Sequence, residues 1–278
     1  GKLWAMEIHE HGNGSTTVVL VPGGPSLPVA FYSELMDGLA RSARVVTFRQ
    51  PGVYPATDED FPRTIEAHAE QLEEALGEIA ARRGPEESPP FLLGHSIGGA
   101  VVLEALCRGA DVSGAIVMNG FASGRMVERG ISVRVAALPR EFHERYPASA
   151  GTKPEAINEL LGEFWFPRHF CRVPMPESFT TALARLNPAY MEHFLGPSLF
   201  EPDGAVMEWD REPDLGGVRV PVLFLGSSYD YYRPEDVDAM HRATPDSRLW
   251  MSERASHAPW IEDPENTLEA IRAFLEPQ

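Results

Sequence analysis

The chain has 278 residues, is 43% hydrophobic and carries a formal net charge of −17, enough for one large core or a core with a sizeable insertion. So acidic a surface argues against nucleic acid or an anionic membrane as partner, and solubility is its simplest role. The two cysteines, Cys107 and Cys171, suggest neither a disulfide framework nor a metal-ligand spacing, and Cys107, inside an expected helix, reads as a buried thiol. No run of 18 apolar residues and no signal-like opening is present, so a cytoplasmic protein without metal or cofactor is expected.

The alternation Leu3 to His9 predicts a half-exposed edge strand, and Thr17 to Val21 a buried one. Pro22-Gly23-Gly24-Pro25-Ser26 follows; glycines there let backbone N–H groups approach a reacting oxygen. Next come a helix over Phe31 to Ala43, a strand over Val45 to Phe48, and a long helix over Thr64 to Arg83. That helix carries Ile65, Leu72, Leu76 and Ile79 on one face, and a polar turn over Gly84 to Pro90 ends it.

The run Phe91-Leu92-Leu93-Gly94-His95-Ser96-Ile97-Gly98-Gly99 is an apolar strand turning through a serine into the helix Ala100 to Arg108. Small residues at 94 and 98 suit a sharp turn that lifts the Ser96 hydroxyl above the sheet edge. A strand over Ala115 to Met118 completes a pattern of parallel crossovers in a doubly wound, mostly parallel sheet.

From Phe121 to about Arg211 the strands stop, and helical pieces rich in aromatics and punctuated by prolines follow. Residues 121–210 therefore read as an inserted helical lid, and residues 1–120 and 211–278 as the core. Most lid aromatics are expected to pack on one another, while Trp165 and Phe166 are candidates for the pocket. The alternation then resumes with a strand over 220–225, a helix over 234–243, a strand over 247–251 and a closing helix over 265–275 before Pro277.

A serine hydroxyl needs a base, and the base needs an acid to hold its tautomer. Asp230 follows the strand at 220–225, and His257 follows the strand at 247–251, where open parallel sheets build their sites. Asp236 and Asp238 fall on the following helix instead. With Ser96 as nucleophile, the backbone N–H groups of Gly24 and Ile97 would form an oxyanion hole. Gly23 and Trp260, beside these loops, are further candidates for the pocket.

These motifs resemble the proline iminopeptidase branch of the α/β-hydrolases, which also holds prolyl aminopeptidases and L-amino acid amidases. Residues 22–26 are similar to that family's His-Gly-Gly-Pro-Gly loop, and residues 94–99 to its Gly-x-Ser-Trp-Gly-Gly elbow. Arg168-His169-Phe170-Cys171-Arg172 with Pro174, Pro176 and Glu177 resembles its most distinctive lid segment, and Gly196-Pro197, Gly204 and Trp209-Asp210 continue the likeness. The resemblance implies an α/β-hydrolase fold with an inserted lid. It also implies that the positions of the family's amine-binding acids are Leu199 and Tyr231 here, with Glu201 the substitute if the alignment shifts by two. Phe48-Arg49-Gln50-Pro51-Gly52 likewise departs from the family's Asp-Gln-Arg-Gly.

The expected activity is hydrolysis of an ester, lactone or amide of a small molecule or short peptide through an acyl-enzyme on Ser96. True aminopeptidase action, acyl transfer with the same residues, and a non-hydrolytic ligand-binding or tailoring role on this fold are the alternatives. Oligomeric state is left open by the residues.

Overall fold

A computed structural model describes residues 7–24, 27–53, 61–149 and 154–276, leaving aside the side chains of 147–149, 154 and 155. Leu3 to Met6 of the expected first strand, Pro25 and Ser26 of the Gly-Gly loop, and Pro277 lie outside the described residues. Seven strands form one sheet: β1 (Ile8–His11), β2 (Thr16–Val21), β3 (Ala43–Phe48), β4 (Phe91–His95), β5 (Gly114–Met118), β6 (Val222–Ser227) and β7 (Ser247–Ser252). Their order is β1-β3-β2-β4-β5-β6-β7. Only the β1–β3 pairing is antiparallel.

The period of two along each strand divides the interior. Val19, Val21, Leu92, Val117 and Phe224 face one cluster, joined by Leu72 of α2 (Ile65–Arg82) and Val101 of α3 (Ile97–Cys107). Val18, Leu20, Leu93, Ile116 and Leu225 face the other, joined by Leu35 of the short α1 (Ser33–Leu39). Helices on both faces make this a doubly wound, mostly parallel α/β sheet, as the alternation predicts. Thr64 caps α2 by accepting from Ala67 N, so that helix starts one residue later than expected. The Phe31–Ala43 helix is shorter than expected: a 3₁₀ turn Val29–Tyr32 precedes α1, and β3 already begins at Ala43. Cys107 corrects the buried-thiol reading: at the last turn of α3 it is only half-buried, whereas Cys171 is buried, and both are free.

Between β5 and β6 the chain is helical. It includes α4 (Gly124–Ala136), α5 (Arg140–Ser149), α6 (Pro154–Leu160), a wide-turned π-helical stretch Leu161–Phe170, α7 (Glu177–Leu183) and α8 (Pro188–Leu195). Pro167, which lacks an N–H, sits inside the π-helical stretch. The insertion's aromatics do not form a separate core. Phe142, Trp165, Tyr190 and Phe194 join the first cluster of the sheet and Phe179 the second.

The two ends of the insertion meet at a neck. Ser123 pairs with Asp210 in an antiparallel bridge, Gly124 N donates to Trp209 O at 2.9 Å, and Arg211 N to Ala122 O at 2.8 Å. Glu104, buried in α3, locks this neck: it accepts from Arg211 Nε and Nη2 at 2.6 and 2.8 Å and from Trp209 Nε1 at 3.0 Å. Burial alone would raise the Glu104 carboxyl, but those donors outweigh it and hold it below the usual carboxylate range. Beyond β6 the chain adds α9 (Pro234–Ala243), α10 (Pro259–Glu262) and α11 (Pro264–Leu275). Ile271 and Phe274 of α11 complete the second cluster. No helix among the described residues is long and apolar enough to cross a membrane.

Candidate active site

β4 ends at His95 and α3 begins at Ile97, leaving Ser96 alone to turn the chain. Its backbone sits at φ 57° and ψ −124°, a left-handed conformation costing a non-glycine residue about 1–3 kcal/mol. Ser96 N donating to Met118 O at 3.1 Å, and Ser96 O accepting from Gly99 N at 2.8 Å, hold it there. A Cβ on Gly94 would strike Gly98 O, and one on Gly98 would strike Val21 O, closer than a methyl group can approach. The glycines that flag the motif in sequence are thus required by backbone contact. Ile97 supplies one of the first helical N–H groups, which lack an intrahelical partner.

Asp230 lies in the loop after β6, and His257 lies between β7 and α10. His257 Nδ1 is 2.9 Å from Asp230 Oδ1, and both side chains are buried. Two further donors converge on the carboxylate: Tyr231 N on Oδ1 at 2.7 Å and Asn119 Nδ2 on Oδ2 at 2.7 Å. An acceptor-only carboxylate requires the hydrogen of a neutral imidazole to sit on Nδ1. Nε2 is then a bare acceptor, and the Tyr231 hydroxyl lies 2.7 Å from it.

Asn119 is a residue that the sequence reading missed. It is fully buried just after β5, at φ 46°, and its amide also donates to Ser256 O at 3.0 Å. It therefore ties the aspartate loop to the histidine loop. An asparagine directly after an apolar strand was the available signal.

A second polar chain lies behind His257. His95 Nε2 is 2.9 Å from His257 O, and a carbonyl can only accept, so Nε2 carries the hydrogen and Nδ1 accepts. The Tyr32 hydroxyl, 2.8 Å from Nδ1, donates to it and accepts from Gly23 N at 2.6 Å. Burial, then the neighbouring His257, hold His95 well below the usual histidine range, so it stays neutral. The Gly23 amide is thereby committed to Tyr32, while Gly24 takes φ 38°. Glu262 brackets the histidine from the other side, accepting from Ser256 N at 2.8 Å and Ala258 N at 3.2 Å. None of this has a short-range motif, which is why the sequence reading overlooked His95 beyond its place in the elbow, as well as Tyr32 and Glu262.

The insertion grips these loops largely through backbone atoms. Arg134 of α4 donates to Asp230 O at 2.8 Å and Ser228 O at 2.9 Å. In the Arg168–Arg172 segment, His169 Nδ1 lies 2.9 Å from Tyr229 O. Arg172 N donates to Glu262 and its guanidinium to Arg254 O, both at 2.9 Å; the same guanidinium lies over the Tyr229 ring. Phe170, singled out only through the family likeness, places its ring 5.7 Å from that of His257.

The remaining pocket candidates separate. Trp165 is fully buried with its ring 5.8 Å from Tyr231, so it backs the tyrosine. Phe166 lies tilted against Phe170, with ring centroids 5.0 Å apart. Leu199 is half-buried against the first core cluster. Trp260 packs with Phe31, Tyr32, His95 and Phe179 and supports the elbow from behind, because its flat face is taken by Tyr32.

A serine on a strained elbow and a paired His257 and Asp230 all lie just beyond the C-terminal strand ends of this doubly wound sheet. The chain belongs to the alpha/beta hydrolase family, whose model matches residues 18–270. Among similar proteins is a proline iminopeptidase of Chitinophaga pinensis, 27% identical over 280 residues, covering 92% of this chain and 87% of the relative. Another, from Saccharolobus solfataricus, is 25% identical over 279 residues, covering 97% and 88%. Among solved structures, the proline iminopeptidase of Mycobacterium smegmatis superposes with a TM-score of 0.82 at 22% identity, covering 97% of this chain and 94% of that one. VinJ superposes with a TM-score of 0.85 at 23% identity, covering 99% and 96%.

Proposed function

We propose that this hydrolase works by acyl transfer to Ser96, with His257 as base and Asp230 as its orienting acid. The observations that support the reading are the strained Ser96 elbow at the end of β4 and the His257 Nδ1–Asp230 Oδ1 contact of 2.9 Å after β6 and β7. Ser96 Oγ attacks the carbonyl as its proton passes to the imidazole. The backbone N–H groups of Gly24 and Ile97 receive the oxyanion, and water then releases the acyl group. The inserted helices, residues 121–210, act as the lid over the acyl pocket, with Trp165, Phe166 and Tyr231 on its inner side.

The substrate in this reading is an ester, lactone or blocked amide of a small molecule or short peptide. Tyr231 directly follows Asp230 and is a phenol, and Leu199 is aliphatic, so neither neutralises an ammonium group. An unpaired buried cation costs several kcal/mol. The lid acids Glu163, Glu177 and Glu201 are exposed, and Glu163 is paired with Arg145 at 2.7 Å. Aminopeptidase action is the second reading, favoured by the likeness to proline iminopeptidases.

Two measurements test this. A fluorophosphonate probe labels the protein and fails to label Ser96→Ala; label retained in that variant removes the nucleophile, and no label on either protein favours a ligand-binding role. N-acetylated amino-acid p-nitroanilides or esters are turned over at least tenfold better in kcat/KM than their free-amine forms, on the order of 1.4 kcal/mol. The reverse preference, above all for unblocked prolyl substrates, supports the aminopeptidase reading.

A further inference from the structure

Tyr32 and His95 together touch the Gly-Gly loop, the serine elbow and the histidine loop. Tyr32 closes the 3₁₀ turn before α1, and His95 is the last residue of β4, directly before Ser96. Each polar atom of the pair has one role open to it. The bonds run from Gly23 N–H to Tyr32 Oη–H to His95 Nδ1, and from His95 Nε2–H to His257 O.

We propose that Tyr32 and His95 are positioning residues that hold the Gly-Gly loop and the histidine loop in fixed relation, so that the Gly24 N–H and the His257 imidazole meet the same bound carbonyl. This rests on the acyl-enzyme reading above. The Gly-Gly loop is anchored on both sides of that N–H: Tyr32 accepts from Gly23 N at 2.6 Å, and Leu27 N donates to Gly24 O at 2.6 Å. Gly23 also sits on the elbow, since a Cβ there would come within 2.7 Å of His95 O and 2.9 Å of Ser96 Cβ. At the other end, His95 holds the backbone of His257 while Asp230 holds its ring.

The surroundings keep the pair in place. Both side chains are buried. Trp260 stacks on Tyr32 with ring centroids 5.2 Å apart and meets His95 edge-on at 4.8 Å, and Phe31 packs edge-on against Tyr32 at 5.1 Å. Rotation of either ring would strand buried polar groups. Burial raises the Tyr32 phenol and lowers the His95 imidazole, so both keep the single hydrogen that this chain of bonds needs. The alternative is a pair that only satisfies buried polar groups, which predicts lost stability with unchanged chemistry.

The test is the labelling of Ser96 by a fluorophosphonate, whose phosphoryl oxygen takes the place of the oxyanion, measured over a range of probe concentrations. Tyr32→Phe removes the hydroxyl and keeps the ring. The limiting rate at saturating probe is expected to fall about tenfold with the half-saturating concentration unchanged. That is less than the roughly hundredfold worth of a whole oxyanion donor, because the Gly24 N–H is displaced and not removed. A loss below about threefold, or one confined to the half-saturating concentration, overturns the proposal whatever happens to the urea midpoint. His95→Gln keeps an amide donor for His257 O but takes the acceptor from Tyr32. It should also slow labelling, and the double variant should lose no more than the slower single one, since both break the same chain; losses that multiply overturn the coupling. Nitrogen NMR of the wild-type histidines needs no variant. His95 should carry its hydrogen on Nε2 with Nδ1 bare, the reverse of His257, on both sides of the His257 titration, and a hydrogen on Nδ1 overturns the chain. Ser96→Ala separates the two proposals: if it still labels, the acyl-enzyme reading fails, and if it does not label while Tyr32→Phe labels at the wild-type rate, only the positioning role fails.

Discussion

The elbow side of the site and the lid side hold their atoms in different ways. On the elbow side, geometry comes from backbone packed against backbone: Gly94 against Gly98, Gly98 against Val21, and Ser96 N on Met118 O. On the lid side, side chains reach long distances to carbonyls and amides, as Arg134 does to Asp230 and Arg172 to Arg254. The first kind of contact constrains residue identity at neighbouring positions. The second constrains only one partner, because every residue has a carbonyl. Removing the reactive side chain that the elbow presents should therefore abolish chemistry with the fold intact, changing its glycines should disturb the backbone itself, and changes on the lid side should alter stability and rate by graded amounts.

The sharpest test of this contrast is Ser96→Ala. Turnover of any accepted ester should fall at least about 10³-fold in kcat, with circular dichroism unchanged. Activity close to wild type would remove Ser96 as the nucleophile. Asp230→Asn comes next, with a loss in kcat of about 10²- to 10⁴-fold and little change in KM, because an amide at 230 can donate to Nδ1 and reverse the tautomer. A KM effect alone would mean that Asp230 organises the loop and nothing more.

The same contrast explains what could be read before the structure. The sheet, its crossovers and the positions of Ser96, Asp230 and His257 follow from apolar runs that end in small or polar residues, a local pattern. His95 and Asn119 also close apolar runs, but nothing local names what either one binds. Their partners, His257 O and Ser256 O, are 162 and 137 residues away, and a carbonyl has no identity to read. The insertion was legible as helices without strands. Its aromatics, though, divide between the two faces of the sheet, since residues that join a core across a fold boundary look like those that pack on one another.

The neck offers the largest expected stability effect. Arg211→Ala leaves the Glu104 carboxylate buried without its main partner and should cost about 3 kcal/mol, seen as a lower midpoint in urea with an unchanged slope. Because the folded carboxyl is held below its unfolded range, its contribution is present above the unfolded pKa and fades as pH falls through the folded one. The difference between wild type and Arg211→Ala should therefore shrink in acid. A difference that does not change with pH would mean that Arg211 acts through packing alone.

The smallest effect belongs to Glu262, where the two sides meet. Its carboxylate takes N–H groups from both neighbours of His257 and one from Arg172 of the insertion. Glu262→Gln keeps one acceptor oxygen but turns an amide toward N–H groups that have nothing to donate to. A loss of about 1 kcal/mol, or at most tenfold in kcat/KM, is expected, falling mainly on kcat because the imidazole, and no binding group, is displaced. The pH dependence has the opposite sign to that of Glu104. Burial raises the Glu262 carboxyl despite its three backbone donors, so its stability contribution is greatest below the unfolded pKa and declines as pH rises through the folded value. Wild type should gain on Glu262→Gln in acid and lose ground toward neutrality, measured as the difference in urea midpoint between pH 4 and pH 8, roughly either side of the carboxylate range. A gap that widens toward neutrality would mean that the donors outweigh burial, and would place Glu262 with the elbow as a rigid support of His257.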